Sequence, residues 1–247
     1  MIGSKTALIT GAALRVGREM ALSLAAAGWD VALHYNTSGK HARGLAKRIA
    51  GMGRKAHLAQ ADLRDAKAVA RIIPALAEQG VALDCLINNA AVFEKDSLAT
   101  LAHASWGEQM DINLFAPLLL MRDFAAHYKG RRKSGQGNII NITDGLSGWS
   151  MSSTFLLYSL SKQGLAHATR MLAYELAPDI RVKAIAPGAT LVSKHDTKET
   201  FARLKEIIPL RRVSSPGEVC NAMQFLLSSP SVTGQILPLS GGLDSGA

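Results

Sequence analysis

Tyr158 and Lys162 are the two side chains of this 247-residue chain whose types and spacing best fit catalysis. They stand four residues apart in a stretch with helical periodicity, which places their Cβ atoms on one helix face, about 6 Å apart. An ammonium at that distance favours the phenolate and lowers the pKa of the tyrosine from its ordinary value near 10. The pair therefore predicts a phenol that exchanges a proton with a substrate at neutral pH. The alternative is a surface tyrosine beside a solvated lysine.

Seven strand-like apolar runs alternate with longer helical patterns along the chain. The runs cover residues 5–10, 30–35, 55–60, 84–88, 138–143, 181–186 and 235–239. This alternation predicts an α/β fold, a single Rossmann-type doubly wound domain over residues 1–247 with a seven-stranded parallel sheet and helices on both faces. Because such sheets bind ligands beyond the carboxyl ends of their strands, the residues that follow the strands are the candidate site.

Composition argues against several other classes of function. The formal net charge is +9, but its one basic cluster, at residues 129–133, is short, lacks interleaved aromatics and falls where a helix should end. Nucleic-acid binding is therefore not expected. Cys85 and Cys220 lie in separate apolar segments, which indicates reduced core cysteines rather than a disulfide or a metal site. No signal peptide or membrane-spanning run is apparent, so a cytoplasmic protein is expected.

The first strand runs into a glycine-containing turn, Thr10-Gly11-Ala12-Ala13-Leu14-Arg15-Val16-Gly17, and then into a helix. Glycines at such a turn allow the backbone to approach a pyrophosphate, and the helix N-terminus favours its charge. The turn predicts dinucleotide binding, with a purely structural turn as the alternative.

No acidic residue stands at the end of the second strand, where the sequence reads His34-Tyr35-Asn36-Thr37-Ser38. NAD-selective folds place a carboxylate there, whereas NADP-selective folds place basic and hydroxyl groups around the 2′-phosphate. Arg15, Ser38 and Lys40 supply such groups, so the sequence predicts NADPH as the cofactor. In the alternative, Arg15 caps a surface turn and the ribose meets only water.

Three further segments complete the predicted site. Asp62, with Leu63 beside it, follows the third strand and either recognises adenine or caps the next helix. Asn88, Asn89, Ala90 and Ala91 end the fourth strand, where small residues let the backbone approach the cofactor. The polar segment at residues 189–199, after the sixth strand, is the candidate for a mobile lid.

Together these features resemble the short-chain dehydrogenase/reductase family over nearly the whole chain. The matching marks are the turn at residues 10–17, the Asn-Asn-Ala stretch at residues 88–90, Asn113, Tyr158-x-x-x-Lys162 and Pro187-Gly188. The resemblance implies that Tyr158 donates the proton, that Lys162 binds the nicotinamide ribose, and that Asn113 helps to hold a water in a proton relay. It implies cofactor contacts from Gly11, Arg15, Val16, Gly17, His34, Tyr35, Asn36, Ser38, Asp62, Leu63, Asn89, Ala90, Ala91, Thr143, Tyr158, Lys162, Pro187 and Gly188.

The chain departs from the family pattern at two positions. Arg15 stands where the turn has its middle glycine, and Asp144 stands where the catalytic serine is expected. Ser147 is the alternative to Asp144, but it lies eleven residues before Tyr158, whereas Asp144 lies fourteen before it and keeps about the family interval.

These departures, with His34-Tyr35, are similar to the pteridine reductase branch, which includes dihydromonapterin reductases. That resemblance implies a homotetramer and a pterin site made by Arg15, Phe93, Asp144 and Tyr158, with the substrate between Phe93 and the nicotinamide. Ala91 replaces a serine found in some members. A carboxylate at position 144 would repel the oxyanion of a carbonyl substrate but would accept hydrogen bonds from a pterin. The sequence thus predicts an NADPH-dependent pterin reductase, with a carbonyl or acyl reductase or a non-catalytic cofactor-binding protein as alternatives.

Overall fold

A computed structural model of the chain describes residues 4–130, 136–145 and 154–243. Ser147 and most of the basic cluster, residues 131–133, lie outside these described ranges. Their predicted roles are therefore not addressed by the structure.

Seven parallel strands form one sheet with the order β3-β2-β1-β4-β5-β6-β7. They are β1 (Thr6–Ile9), β2 (Asp30–Tyr35), β3 (Ala56–Gln60), β4 (Cys85–Asn88), β5 (Gly137–Ile142), β6 (Ile180–Pro187) and β7 (Ile236–Leu239). Each lies within one residue of its predicted bounds, so the predicted doubly wound sheet is confirmed. Strands β2 and β3 lie on one side of β1, and β4 to β7 lie on the other. The strand order therefore switches between β1 and β4, where such folds bind their ligands.

Eight α-helices connect and cover the strands of the described chain. They are α1 (Arg15–Ala26), α2 (Gly39–Gly51), α3 (Ala66–Glu78), α4 (His103–Met110), α5 (Ala116–Lys129), α6 (Leu156–Glu175), α7 (Lys198–Ile207) and α8 (Pro216–Ser228). The predicted lid at residues 189–199 is thus a loop whose last two residues begin α7.

Two apolar layers hold the helices against the sheet. Because successive strand side chains point to opposite faces, Leu8 of β1 packs towards α3, α5 and α6, while Ala7 and Ile9 pack towards α1, α2 and α8. The strands β1, β2, β4 and β5 are buried on both faces, whereas the edge strands β3 and β7 are only partly buried. This explains why the central strands read as continuous apolar runs.

Cys85 and Cys220 are both buried and unpaired with each other, as the sequence predicted. Within the described ranges, no helix is both long and apolar enough to cross a bilayer. The same residues contain no group of three His, Cys, Asp or Glu side chains arranged to hold a metal ion.

Candidate active site

The carboxyl ends of β1, β4, β5 and β6 open onto a cavity of about 450 Å³. Its polar lining comes from widely separated parts of the sequence, including Arg15, Asp144, Tyr158 and Asp196. Its apolar lining includes Phe93, Phe155 and residues of α7. The cavity therefore lies at the predicted edge of the sheet and contains all four predicted substrate-site residues.

The Tyr158 hydroxyl donates a hydrogen bond of 2.8 Å to Oδ2 of Asp144. Tyr158 lies in the first turn of α6, and Asp144 follows β5, so the sheet and the helix bring the two groups together. Asp144, rather than a hydroxyl, is thus the immediate polar neighbour of the predicted proton donor.

The pKa of the Tyr158 phenol is raised well above its ordinary value of 10. Burial is the largest cause, and the charge and hydrogen bond of the Asp144 carboxylate add to it, since all three disfavour a phenolate. The predicted lowering of this pKa by Lys162 is therefore wrong for this arrangement. The phenol is therefore protonated at neutral pH, as at its ordinary pKa, and the upward shift makes it a weaker acid than a free phenol.

Lys162 is buried on the same face of α6, and its ammonium lies 5.8 Å from the centroid of the Tyr158 ring. Nζ donates a 2.7 Å hydrogen bond to the carbonyl of Ile142 at the end of β5. Burial lowers the pKa of Lys162 to about 8, and the charge of Asp144 opposes that shift. The ammonium thus contacts the main chain of the sheet and not the phenol oxygen, which explains its weak influence on Tyr158.

Asn113 lies in a π-helical turn, Asp111–Phe115, between α4 and α5. Its amide accepts a hydrogen bond from Val92 N at 2.8 Å and donates to Val92 O at 2.9 Å. It also donates to the Ser161 hydroxyl at 3.1 Å, which in turn donates to Tyr158 O. Asn113 therefore links the segment after β4 to the helix that carries Tyr158, at a π-bulge of the kind common at functional sites.

Phe93 belongs to an aromatic wall, which we define as Phe93, Phe155, Tyr158 and His195. The Phe93 and Phe155 rings are stacked with centroids 4.2 Å apart, and Tyr158 meets Phe93 edge-on at 4.7 Å. A planar ligand between two parallel rings would need roughly 7 Å, twice the usual contact distance. The stacked pair therefore acts as one wall, with any planar substrate lying outside it.

The loop at residues 189–199 is bound across the cavity by contacts with two other segments. His195 Nε2 lies 2.9 Å from the carbonyl oxygen of Phe93, and Lys194 forms an ion pair with Glu94. On the opposite side, Nη2 of Arg15 donates to the carbonyl of Val192 at 3.1 Å. The loop is thus placed as the sequence predicted for a lid, while its mobility stays a prediction.

Gly11 and Gly17 allow the β1–α1 turn to pack closely against the end of β4. A Cβ on Gly11, where φ is 62°, would lie 3.1 Å from Ala90 Cα, and one on Gly17 would lie 2.7 Å from the Asn89 amide nitrogen. That amide donates to the carbonyl of Thr10 at 2.8 Å, and the Thr10 hydroxyl accepts from Ala90 N at 3.0 Å. The end of β4 therefore holds the turn in shape, and α1 has no acidic residue in its first turn to repel an anion.

His34 is buried beneath this turn. Its Nδ1 accepts a hydrogen bond from Gly11 N at 3.2 Å, and Nε2 lies 3.2 Å from the carbonyl of Ala61. Burial lowers the pKa of the ring to about 4, so the neutral form with a proton on Nε2 satisfies both contacts. Its side chain thus positions the turn from below, and the predicted contact of His34 with the cofactor stays a prediction.

Arg15 adopts φ 52°, in the left-handed region that glycine occupies readily. A non-glycine residue costs roughly 1–2 kcal/mol in that conformation. The strain explains why the family pattern has glycine here, and it indicates that the arginine side chain has a function that offsets the cost. Arg15 lines the cavity together with Val16.

At the end of β2, Tyr35 is buried and packs with Ala13 and Ala42, whereas Asn36 and Lys40 are exposed. Ser38 is the N-cap of α2, and its side chain makes no capping hydrogen bond. The Arg43 guanidinium, which the sequence analysis did not identify, folds back over Gly39, with Nη1 3.2 Å from the position of a Cβ there. The end of β2 therefore carries a hydroxyl and two cations, as expected for a site that holds a phosphate.

Asp62 does not cap the helix that follows it. The N-cap of α3 is Asp65, whose carboxylate accepts hydrogen bonds from Lys67 N and Ala68 N. Asp62 instead pairs with Arg64 through both the side chain and the main chain, and this pairing lowers its pKa to about 2. The capping alternative was wrong, while adenine recognition by Asp62 and the buried Leu63 stays a prediction.

The remaining predicted residues hold the ends of β5 and β6 together. Thr143 donates through its hydroxyl to Ile185 O at 3.2 Å, and Gly145 N donates to Pro187 O at 2.9 Å. Gly188 N donates to Leu239 O at 3.1 Å, and a Cβ on Gly188 would lie 3.0 Å from Ser240 Cα. Gly188 in this edge lines the cavity.

Besides Arg43, three parts of the site were not predicted from the sequence: Phe155, His195 and the buried pair Asp96 and Gln109. Phe155 immediately precedes α6, and an aromatic residue three before Tyr158 was a usable signal. His195 and Asp96 act through tertiary contacts with segments about 100 and 60 residues away, for which the sequence pattern carries no signal.

Comparison with known proteins agrees with this geometry. The solved structure of FolM alternative dihydrofolate reductase 1 from Brucella canis, complexed with NADP, is 33% identical, covers 98% of this chain and 95% of its own, and has a TM-score of 0.89. A blue fluorescent protein from a metagenomic library, in complex with NADPH, has the same TM-score at 27% identity and covers 98% of both chains.

Among curated relatives, the 3-oxoacyl-[acyl-carrier-protein] reductase FabG of Aquifex aeolicus is 32% identical over an alignment of 248 positions that covers 97% of each chain. A family model described as enoyl-(acyl carrier protein) reductase matches residues 11–244. The fold, the Tyr158 and Lys162 pair and these matches agree: the chain belongs to the short-chain dehydrogenase/reductase family of oxidoreductases.

Proposed function

We propose that the protein is an NADPH-dependent pterin reductase that converts a dihydropterin to its tetrahydro form. NADPH supplies a hydride when bound, and Tyr158 donates a proton to the ring nitrogen next to the carbon that is reduced. The phenol is protonated at neutral pH, so it carries the proton that this role requires. Asp144 accepts hydrogen bonds from the substrate and orients the phenol.

The observation that carries this proposal is the 2.8 Å hydrogen bond from Tyr158 to Asp144. A carbonyl reductase stabilises a developing oxyanion with hydrogen-bond donors, and a carboxylate in their place repels that charge. A pterin presents ring N–H and amino donors, for which a carboxylate is the strongest neutral-pH acceptor. The half-buried Asp144 therefore fits a substrate that donates hydrogen bonds.

The shape of the cavity supports a planar heterocycle. Phe93, Phe155 and Tyr158 all line it. Phe93 stacks on Phe155 and meets Tyr158 edge-on. Aromatic surfaces of this kind favour offset stacking with flat rings. A volume of about 450 Å³ is adequate for a small bicyclic ligand.

The cofactor assignment follows from the turn and from the end of β2. The turn with Gly11 and Gly17 would hold the pyrophosphate, while Arg15, Ser38, Lys40 and Arg43 would hold the 2′-phosphate. Lys162 would bind the nicotinamide ribose. Both solved structures compared above are complexes with NADP or NADPH, which supports the same choice.

The second candidate is a reductase of carbonyl or acyl substrates. The curated relative from Aquifex aeolicus favours it, as does the description of the matching family model. The carboxylate at position 144 argues against it, and the Brucella canis protein is named as a dihydrofolate reductase, which agrees with reduction of a pterin ring. A protein that binds the cofactor without catalysis is the third possibility, and it predicts no turnover with either substrate class.

Asp144→Ser tests the proposal. Loss of the charged acceptor should weaken pterin binding by roughly 1.5–3 kcal/mol, or about one to two decades in affinity. The substitution also recreates the family's hydroxyl next to Tyr158, so a slight carbonyl reductase activity is expected to appear. Pterin turnover and melting temperature should be measured side by side. If the variant is destabilised but reduces dihydropterins at the parent rate, Asp144 is only a loop residue and the proposal fails.

A further inference from the structure

Asp96 is a buried carboxylate that reaches the start of α6 from another part of the chain. It lies at the end of the 92–96 segment, which leaves β4 and carries Phe93. Its Oδ1 and Oδ2 atoms lie 3.1 and 3.2 Å from Leu157 N, and Gln109 Nε2 donates to Oδ2 at 2.8 Å. Its main-chain N donates to Thr154 O at 2.9 Å, which makes a parallel bridge between Asp96 and Phe155.

The helix that Asp96 contacts carries the proton donor. Leu157 is the second residue of α6 and directly precedes Tyr158. The N-cap residue of this helix, Phe155, provides no side-chain cap, so Asp96 supplies from a distance the acceptor that a local Ser or Asp usually provides. A carboxylate there is also favoured by the helix dipole.

The other end of the 92–96 segment is held by the same helical region that holds Asp96. Asn113 bonds both main-chain groups of Val92, while Gln109, four residues earlier, accepts from Glu94 N at 3.4 Å and donates to Asp96. The segment with the Phe93 ring is therefore fastened at both ends, and its far end is fastened to the first turn of α6.

We propose that Asp96 is a positioning residue for catalysis: it holds the start of α6 against the 92–96 segment and so sets the Tyr158 hydroxyl relative to Asp144 and Phe93. The inference rests on the proposed role of Tyr158 as proton donor. Proton transfer requires hydrogen-bond distances, so a small shift of the helix start lowers turnover strongly.

The first experiment compares Asp96→Asn and Asp96→Ala with Asp65→Ala. Asp65 is a matched control because it is also a carboxylate that accepts main-chain N–H groups at a helix start, at α3 and outside the cavity. Loss of a cap should lower the melting temperature of the Asp65 variant by about 2–4 °C, with turnover unchanged. The Asp96 variants should lose turnover by roughly 10–100-fold, with NADPH affinity retained.

A reciprocal exchange separates positioning from simple folding damage. In Asp96→Asn the new amide meets the amide of Gln109, so two donors face each other. Adding Gln109→Glu restores a donor and an acceptor at this contact, and most of the lost turnover should return. Because Asp96→Asn keeps one acceptor for Leu157 N, it stays informative if Asp96→Ala fails to fold.

Amide hydrogen exchange gives a readout that does not depend on the substrate. Protection of the Leu157 amide and of the 92–96 segment should fall in Asp96→Ala and persist in Asp65→Ala. If the parent fails to reduce dihydropterins, the proposed function fails, while exchange still reports whether Asp96 holds the helix. The inference is overturned if the Asp96 variants turn over like the parent, if Asp65→Ala loses as much activity, or if Leu157 keeps its protection.

Discussion

On the cofactor side of the cleft, side chains at strand ends hold the turn at residues 10–17: His34 accepts from Gly11 N, Asn89 donates to Thr10 O, and the Thr10 hydroxyl accepts from Ala90 N. On the substrate side, Asp144, Phe155 and His195 come from three separate segments and meet through side chains. The first region is determined by the sheet, while the second depends on how loops close over it. From this difference we expect that cofactor binding is retained in variants that lose turnover of the substrate.

Replacement of Tyr158 by Phe should have the largest effect. The substitution keeps the ring and its edge-on contact with Phe93 but removes the proton donor, so turnover should fall by about 10²–10⁴-fold. NADPH affinity, measured by fluorescence titration, should be retained because the cofactor side does not depend on this hydroxyl. Near-normal turnover would instead indicate that Asp144 donates the proton through a water molecule.

His34 should make the cofactor side sensitive to acid. Burial lowers its pKa from the ordinary 6.5 to about 4 in the folded protein, so between these pH values the unfolded chain binds a proton that the folded chain does not. The contribution of His34 to the free energy of unfolding is fully present above pH 6.5. It decreases by about 3 kcal/mol in total as the pH falls to 4.

Denaturant titrations of the parent and of His34→Gln between pH 4 and pH 7.5 measure this contribution. The variant is neutral throughout and should show a flatter pH dependence. His41→Gln is the control, because His41 is exposed on α2 and its loss should leave the slope unchanged. Equal slopes for the parent and His34→Gln would contradict the buried, neutral role of His34.

Arg15 belongs to both sides, because it begins α1 at the cofactor turn while its guanidinium contacts Val192 of the lid loop. Arg15→Gly should reduce the preference for NADPH over NADH by roughly 1–3 kcal/mol, the scale of a charge-assisted hydrogen bond. Stability should not fall, since glycine accepts φ 52° without strain.

Dissociation constants of both cofactors for the parent, Arg15→Gly and Arg15→Lys provide the measurement. The lysine variant keeps the charge but lacks the planar fork, and it should lie between the other two. Equal affinities of the unmodified protein for NADPH and NADH would refute the cofactor assignment.

The sequence predicted best what depends on local pattern. Buried strands such as β2 can be predicted from their apolar runs, and Tyr158 and Lys162 from their spacing of one helical turn. The pKa of Tyr158 was predicted in the wrong direction because it depends on where Asp144 and Lys162 point, which helical spacing does not encode. Asp62 was ambiguous because Asp65, three residues later, has the same capping chemistry.

The aromatic wall shows the limit of such reasoning most clearly. Phe93 was identified by resemblance, but its stacking with Phe155 and the contact of its carbonyl with His195 arise from segments 62 and 102 residues away. Contacts at such separations follow from tertiary packing and leave no periodic trace in the sequence.

The most direct test of the pterin assignment is steady-state oxidation of NADPH by the unmodified protein with two substrate panels. One panel contains dihydromonapterin, dihydrobiopterin and dihydrofolate, and the other contains 3-oxoacyl thioesters and simple ketones. The carboxylate of Asp144 beside Tyr158 predicts rapid oxidation with at least one dihydropterin and little with the carbonyl compounds. Efficient reduction of a 3-oxoacyl thioester with no activity on any dihydropterin would contradict it.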